Sequence, residues 1–509
     1  MSVRTKAGFG GVLGHVFTVG GFTAFSRVLG LVREMLQSRL IGAGVEQSAF
    51  TLAFALPNMA RKLFGEGALT AAFVPVFKGL VANGEVEAAR RLARAVLTML
   101  LLILGSVAVL VVVGLGVWSG CADLSPRMSL TLRLVRILFP YMVFICGAAF
   151  GMGVLNALGR FVEGAVMPTF LNLVWIAALG SLLFFPGLSL SSRVAVVCWA
   201  ILAGGAAQMA FLFHCMAKRG YSPRIALSGF RDSNVALVWR NTAIAAMGAG
   251  AVQVNCMLDQ LLSQMAAPWA AGVIGYAERL MDLPLGVVGV AFGTVLLPTF
   301  AGLFAKGDAA GARQTLTSST VNLMFFMVPA AAGMCLLAPG ITSVIYEGRA
   351  FDAMATVRVG RALAVYALGL GFYGVQKALI PWFQAQKDMK TPLRVSVATV
   401  VLNAALNILA VGLLPQEWRH VGLAASTVVC SAVGCALLGW AARRDGGLAA
   451  LASAVPDVLR ILLAAAAMAA AIWLVRPVLG DVVRIVALAA EIAVGAAVYL
   501  PIAWFLRRR

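Results

Sequence analysis

The stretch Ala95–Val117 reads AVLTMLLLILGSVAVLVVVGLGV, without a single charged side chain. A helix rises 1.5 Å per residue, so about 20 such residues cross the roughly 30 Å of bilayer hydrocarbon. Similar runs recur at Val194–Phe213, Ile461–Val475 and Ile485–Phe505. Of the 509 residues, 61% are hydrophobic and only 12% charged, against roughly 25% charged in an ordinary soluble domain. Lipid, not water, is therefore the solvent of most of this chain, and a soluble globular fold is excluded.

Splitting the apolar runs at charged or Gly/Pro-rich breaks predicts an all-α polytopic membrane protein of about fourteen spans. Their centres fall near residues 25, 65, 105, 145, 175, 205, 250, 288, 325, 370, 402, 430, 465 and 493. Arg4 and Lys6 precede the first run, but Arg27 and Arg33 interrupt it and no small-residue cleavage site follows, so it reads as a retained helix. Basic residues return at every second connection: Lys78, Arg90, Arg91 and Arg94; Arg160; Lys218, Arg219, Arg224 and Arg231; Lys306 and Arg313; Lys387, Lys390 and Arg394; Arg443 and Arg444; then Arg507 to Arg509. The positive-inside rule places these connections and both termini in the cytoplasm. The net charge of +20 follows that topology and does not call for nucleic acid. The eight cysteines lie mostly in apolar runs, without a CxxC pair or a histidine at metal spacing, and read as free, buried thiols.

The chain repeats itself. Pro75–Arg90 reads PVFKGLVANGEVEAAR and Pro298–Arg313 reads PTFAGLFAKGDAAGAR, with Pro, Phe, Gly, Leu, Gly, an acid, Ala and Arg in register. A weaker echo links Leu155-Asn156-Ala157 to Phe383-Gln384-Ala385. Two pseudo-repeat lobes of six helices, at 1–219 and 235–446, are expected around a central cavity, a transporter architecture. A cytoplasmic linker at 220–234, with room for an amphipathic surface helix, joins them, and two further helices occupy 447–509.

Charged side chains inside spans cost roughly 2.5–3.5 kcal/mol each on insertion scales and usually face protein or a watery cavity. Here they concentrate in a few helices: Arg27, Arg33 and Glu34; Arg61, Lys62 and Glu66; Glu278, Arg279 and Asp282; and Lys377. Lys62 and Glu66 are spaced as a helical i,i+4 pair, and Arg27 and Glu34 share a face, so part of this charge can be structural. Arg27, Arg61 and Arg279 point instead to an anion, because the guanidinium fork donates two hydrogen bonds to phosphate oxygens at once. Asp259, Asn403, Asn407 and Thr427 form a second set. They offer either oxygen ligands to a hard cation such as sodium or a set of interhelical hydrogen bonds. Gly369–Gly374 matches GxGxxG, but no strand precedes it, so it reads as close packing inside an apolar helix. No Walker loop, HExxH or nucleophile motif is present, and His15, His214 and His420 are scattered, so the chain reads as a transporter and not an enzyme.

Ser26–Glu34 (SRVLGLVRE), Leu56–Ala68 (LPNMARKLFGEGA), Ala72–Pro75 (AFVP), Tyr276–Asp282 (YAERLMD) and Asp388–Pro392 (DMKTP) together resemble the MurJ (MviN) family, in order and spacing along the whole chain. The resemblance implies a fold of the multidrug/oligosaccharidyl-lipid/polysaccharide exporter superfamily, with the two C-terminal helices forming a groove for a lipid tail. It implies flipping of the lipid-linked peptidoglycan precursor, lipid II, across the bacterial inner membrane, with membrane lipids and the cell-wall synthesis machinery as partners. Arg27, Arg33, Arg61 and Arg279 match family arginines thought to engage the substrate diphosphate, and Glu66 matches a family acid proposed to work with them. The resemblance also carries a sodium ion to Asp259, Asn403, Asn407 and Thr427, although an acid is expected where Asn407 stands; no other cofactor is implied. Ser48 stands where many relatives have Asp, with Glu46 two residues earlier. Flipping of another polyprenyl-diphosphate oligosaccharide, cation-coupled drug antiport by the same fold, and a non-transporting membrane scaffold are the alternative readings.

Overall fold

The computed structural model describes residues 9–65, 67–226, 230, 232–479 and 482–507. The first part of the chain forms α1 (Phe9–Ile41), α2 (Val45–Ala60), a π-helical turn (Arg61–Gly65), α3 (Ala68–Ala82), α4 (Val86–Cys121), α5 (Pro126–Leu138), α6 (Tyr141–Ala157), α7 (Val162–Ser181) and α8 (Leu190–Lys218). The second comprises α9 (Ser233–Ala266), α10 (Ala270–Ala305), α11 (Ala309–Tyr346), α12 (Ala353–Leu368), α13 (Leu370–Ala385), α14 (Lys390–Leu413), α15 (Gln416–Ala441), α16 (Gly447–Val475) and α17 (Arg484–Arg507). No strand occurs among the described residues.

Among the described residues, ten segments are long and apolar enough to cross a membrane, eleven if α12 and α13, bent by 43° at their junction, count as one span. Three other long helices, α1, α9 and α10, of 33, 34 and 36 residues, hold the remaining expected centres and carry Arg27, Arg33, Asp259, Glu278 and Arg279. The outward faces of the apolar helices agree with a lipid solvent: on α4, Val109 and Leu110 are 62% and 72% exposed.

The GxGxxG stretch is not a continuous helix. The chain breaks at Gly369, where a Cβ would fall 2.8 Å from the Tyr373 ring, and Gly374 approaches Met327 of α11 to 3.1 Å from its Cβ position. All eight cysteines are free, but Cys121 and Cys256 are exposed, against the expectation of burial.

Two compact units divide the chain, Met1–Met257 and Leu258–Arg509. The first is built around Trp175, Tyr141, Phe50, Phe73 and Phe77, and the second around Trp382, Phe300, Tyr276, Tyr346 and Tyr366. In the linker, residues 221–226 carry no helix, and Ala226 N donates to Thr98 Oγ1 at 3.0 Å. Residues 227–229 and 231 lie outside the described residues.

The repeat detected in sequence is repeated in atomic detail. Gly84 and Gly307 take positive φ angles of 80° and 73°, and the amides of Glu85 and Asp308 each bond the carbonyl five residues back, Leu80 and Leu303, at 2.9 and 3.0 Å. Arg90 and Arg313, which end the repeat, each lie across a left-handed glycine after the sixth span of their half. A Cβ at Gly220 would fall 2.9 Å from Arg90 Nη2, and one at Gly446 2.7 Å from Arg313 Cδ. Arg193 Nε donates to Leu188 O at 3.0 Å and its Nη1 to Leu40 O at 3.3 Å. Arg419, its counterpart in the second half, donates to Leu414 O at 3.1 Å and Ala266 O at 3.4 Å. Each of these arginines fastens a loop to the end of the first helix of its half by satisfying carbonyls that the helix cannot.

Candidate functional site

Arg33 on α1 is held on three sides. Its Nη1 donates to Asn172 Oδ1 of α7 at 2.9 Å, its Nη2 to Glu34 Oε1 at 2.6 Å, and its guanidinium carbon lies 4.3 Å from the centroid of the Trp175 ring. Asn172 Nδ2 donates in turn to Ser26 O at 3.0 Å and Ser26 Oγ at 3.3 Å, which ties α7 back to α1. The Arg33 and Glu34 side chains are 18% and 8% exposed, so both guanidinium arms and the ring face are committed to protein. Arg27, earlier on the same helix, is exposed.

Pro57 has no N–H to give the carbonyl one turn back, and the helix widens soon after it into the π turn, a feature that recurs at functional sites. Arg61 opens that turn, half-buried, with its Nε donating to Asn58 Oδ1 at 2.8 Å. A Cβ at Gly67 would meet Lys62 O at 2.7 Å, so only glycine lets the chain turn back into α3. Glu66, and with it the Lys62–Glu66 pair, lies outside the described residues.

On α10, Glu278 and Arg279 are half-buried and Asp282 is exposed. Glu278 Oε1 accepts from Tyr366 OH of α12 at 3.3 Å, and Tyr346 OH of α11 donates to Tyr276 O at 3.4 Å. Buried tyrosines thus back the charged face of α10. The aliphatic stem of Lys377 on α13 crosses α10 at Gly289, with Cε 3.5 Å from the Cβ position there.

Asp259 Oδ1 on α9 accepts from Asn407 Nδ2 of α14 at 2.7 Å, and the same amide donates to Asn403 Oδ1 at 3.1 Å. Among the described residues, Asn407 Oδ1 is buried without a hydrogen-bond partner. The amide protons therefore lie between the two oxygens a cation would use. Rotating the Asn407 amide by half a turn would bring its orphaned oxygen to the same point, so Asp259, Asn403 and Asn407 suit a hard cation. Thr427 Oγ1 donates to Leu423 O at 3.2 Å, within its own helix. Ser48 is fully buried, and Glu46 is half-buried beside Gly44.

Asn172, Trp175 and Tyr366, which position the charged residues, escaped the reading of the sequence. An asparagine within the apolar run of α7 was the available signal. Arg33 and Asp259 hold matching places in the two halves, with the same sequence separation as Arg193 and Arg419, and each faces the α7 or α14 helix of its own half.

The family whose model matches residues 37–489 is described as "Lipid II flippase MurJ". The chain belongs to the MurJ family. Among MurJ relatives, a probable lipid II flippase MurJ of Rhizobium meliloti (strain 1021) is 33% identical over 508 residues, covering 96% of this chain and 92% of the relative. A solved lipid II flippase MurJ, in an inward closed conformation, superposes with a TM-score of 0.78 at 23% identity, over 96% of this chain and 98% of its own. An inward-facing multidrug resistance MATE family transporter of the MOP superfamily gives 0.68 at 15% identity, over 85% and 98%. The two solved structures establish the shared fold, and the family match separates the chain from the MATE branch. This MurJ family member is thus a multi-span membrane protein of a flippase family.

Proposed function

We propose that this protein moves lipid II from the inner to the outer leaflet of the bacterial inner membrane by alternating access, with both termini in the cytoplasm and no chemical step. The observation that carries the reading is the family match over residues 37–489, supported by 33% identity along 96% of the chain. Arg27, Arg61 and Arg279 engage the substrate diphosphate, replacing the water it loses, and Glu66 works with them. Arg33, bound to Asn172, Glu34 and Trp175, shapes the site by fixing α1. The polyprenyl tail stays in lipid along the C-terminal helices, and the enzymes that make and consume the precursor are the partners implied. Sodium, where it takes part, is held by Asp259, Asn403 and Asn407. With the cytoplasm negative, export of an anionic headgroup is favoured by about 2.3 kcal/mol per charge per 100 mV, so membrane potential suffices as a drive.

The test is single replacement of Arg27, Arg61 and Arg279 by Ala in cells depleted of their own flippase, with membrane levels checked and outer-leaflet lipid II measured. Loss of one charge-assisted contact of about 1.5–3 kcal/mol predicts a roughly 10- to 100-fold fall in delivery. Normal delivery by all three variants would refute the anion-site mechanism. Equal delivery of a polyprenyl diphosphate bearing an unrelated glycan would move the assignment to a broader substrate class.

A further inference from the structure

The two halves differ where their repeated arginines lie. In the first, Arg90 is paired with Glu87, and the space beside it is taken by the linker, whose Tyr221 ring stacks edgewise on Phe77 with centroids 5.2 Å apart. In the second, Ala310 stands at the place of Glu87, and Arg313 makes no ion pair among the described residues. Its one hydrogen bond, Nε to Ala309 O at 3.2 Å, leaves both terminal amino groups uncommitted.

Arg313 borders a cleft of about 590 Å³ between the start of α11 and the start of α16. Small residues on α16, Ala449, Ala450 and Ser453, keep it open. Thr317 and Ser453 face each other across it with their hydroxyl oxygens 3.0 Å apart, and Ser318 lies beside them. These hydroxyls donate only to main-chain carbonyls or to each other, with Ser453 Oγ to Ala450 O at 2.8 Å and Ser318 Oγ to Thr315 O at 3.1 Å. Each can turn its proton to a stronger acceptor. The lining acid, Asp457, is paired with Arg460 at 2.9 Å. Arg443, stacked 3.5 Å over Trp440, and Arg444 add positive charge near Gly446, with Asp445 as the acid in that turn. An uncommitted guanidinium with convergent hydroxyls is a phosphate receptor.

Further along the same helix pair lies an apolar cleft of about 600 Å³, lined from Met324 to Leu336 on α11, from Val458 to Ala469 on α16, and by Leu368, Gly371 and Phe372 at the α12–α13 junction. On α11 the lining residues Thr317, Val321, Met324, Val328, Ala331 and Cys335 fall every three or four positions, one face of the helix. At 1.5 Å per residue, Arg313 stands about 16 Å from Met324 along the axis. A charged receptor at the basic end of a span, followed by an apolar cleft on the same face, has the order of an amphiphile with its head at the interface.

We propose that the α11–α16 cleft binds the phosphate of an anionic bilayer phospholipid, with Arg313, Thr317 and Ser453 on the head and an acyl chain along the apolar cleft beyond. This site is separate from the arginines assigned to the transported substrate.

The test uses the full chain in mixed vesicles or nanodiscs, with bound lipid counted by native mass spectrometry. Wild type is expected to retain phosphatidylglycerol about tenfold over diacylglycerol of the same chains, which lacks the phosphate, the scale of one charge-assisted contact. Arg313→Ala should lose that preference. Ser453→Leu, which fills the cleft from α16 and leaves Arg313 in place, should lose it too, so the outcome does not hang on one variant's folding. Equal retention of both lipids by wild type, or an undiminished preference in both variants, would overturn the proposal. Displacement by millimolar inorganic phosphate would reassign the site to a free anion, and displacement by a short polyprenyl diphosphate would reassign it to the substrate. Either also overturns the phospholipid reading, and resistance to both supports it.

Discussion

Replacing Arg33 by Ala separates a positioning role from direct substrate contact. The substitution removes the 2.9 Å bond to Asn172, the Trp175 face contact at 4.3 Å and the 2.6 Å pairing with Glu34, a carboxylate whose side chain is 8% exposed. Losing the charge-assisted bonds to Asn172 and Glu34 costs about 1.5–3 kcal/mol each. Glu34→Gln keeps Arg33 on Asn172 and Trp175, so its cost is about 1–2 kcal/mol. The double variant loses the shared contact only once, so the effects should fail to add by about 1–3 kcal/mol, within the range for residues in contact. Unfolding of the four purified proteins by denaturing detergent, followed by tryptophan fluorescence, measures this cycle. Outer-leaflet lipid II is measured on the same variants. A stability loss in Arg33→Ala that fails to add in full to that of Glu34→Gln, with delivery following folded protein, is the expected result. The reasoning fails if Arg33→Ala stays within roughly 0.5 kcal/mol of wild type, adds independently to Glu34→Gln, and still abolishes delivery.

Lys387 has a φ of 62°, where its counterpart in the first half is Gly159 at 77°, so Lys387→Gly should stabilise by about 1 kcal/mol and Gly159→Lys should cost as much, both read in the same unfolding assay. Asn407→Asp places a second carboxylate beside Asp259, a repulsion of about 4 kcal/mol at 4 Å in an effective dielectric of 20. Its melting temperature should therefore rise in sodium over choline chloride by several times the wild-type response, and an equal response would remove the cation site. The Ser343 hydroxyl and then the Arg484 guanidinium, at 2.7 Å, hold the Glu347 carboxyl below its usual 4.5. That contribution is complete above the ordinary glutamate range and lost as pH falls below it, so Arg484→Ala should flatten the acid limb of the melting temperature against pH.

Apolar length and charge placement are local properties, and so the spans, the duplicated halves and the helices bearing Arg27, Arg61, Asp259 and Arg279 were legible in the sequence. The partners of those charges were not. Arg33 meets Asn172 across 139 residues and Arg419 meets Ala266 across 153, contacts set by how the helices pair within each unit and not by any spacing along one of them. The break at Gly369 was misread for a related reason. Glycine permits both close packing and a bend, and only the neighbours, Met327 on one side and the Tyr373 ring on the other, make the stretch do both.

The duplication sorts residues by kind. Where the halves agree, as in Gly84 with Gly307, Arg90 with Arg313 and Arg193 with Arg419, the shared residue closes a turn or satisfies a helix end, a task each half must perform to fold. Where they disagree, the frame is the same and the chemistry has changed: Arg33 against Asp259, Glu87 against Ala310. A guanidinium and a carboxylate at one place in a common frame cannot serve a common ligand. At this place the first unit holds a guanidinium bound to protein, and the second, through Asp259 with Asn403 and Asn407, holds oxygens of the kind that hard cations take. The partner is an asparagine in each half, and its amide meets either charge: Asn172 accepts from Arg33 through its oxygen, and Asn407 donates to Asp259 through its nitrogen. Asp259→Arg therefore tests the division, because Asn407 can turn its amide and accept from the new guanidinium as Asn172 does. If the charge at this place serves only packing, lipid II delivery by the variant should fall no further than its folded protein does. If it serves a cation, folded protein should persist while delivery and any stabilisation by sodium are lost, and delivery in step with folded protein would sink the division.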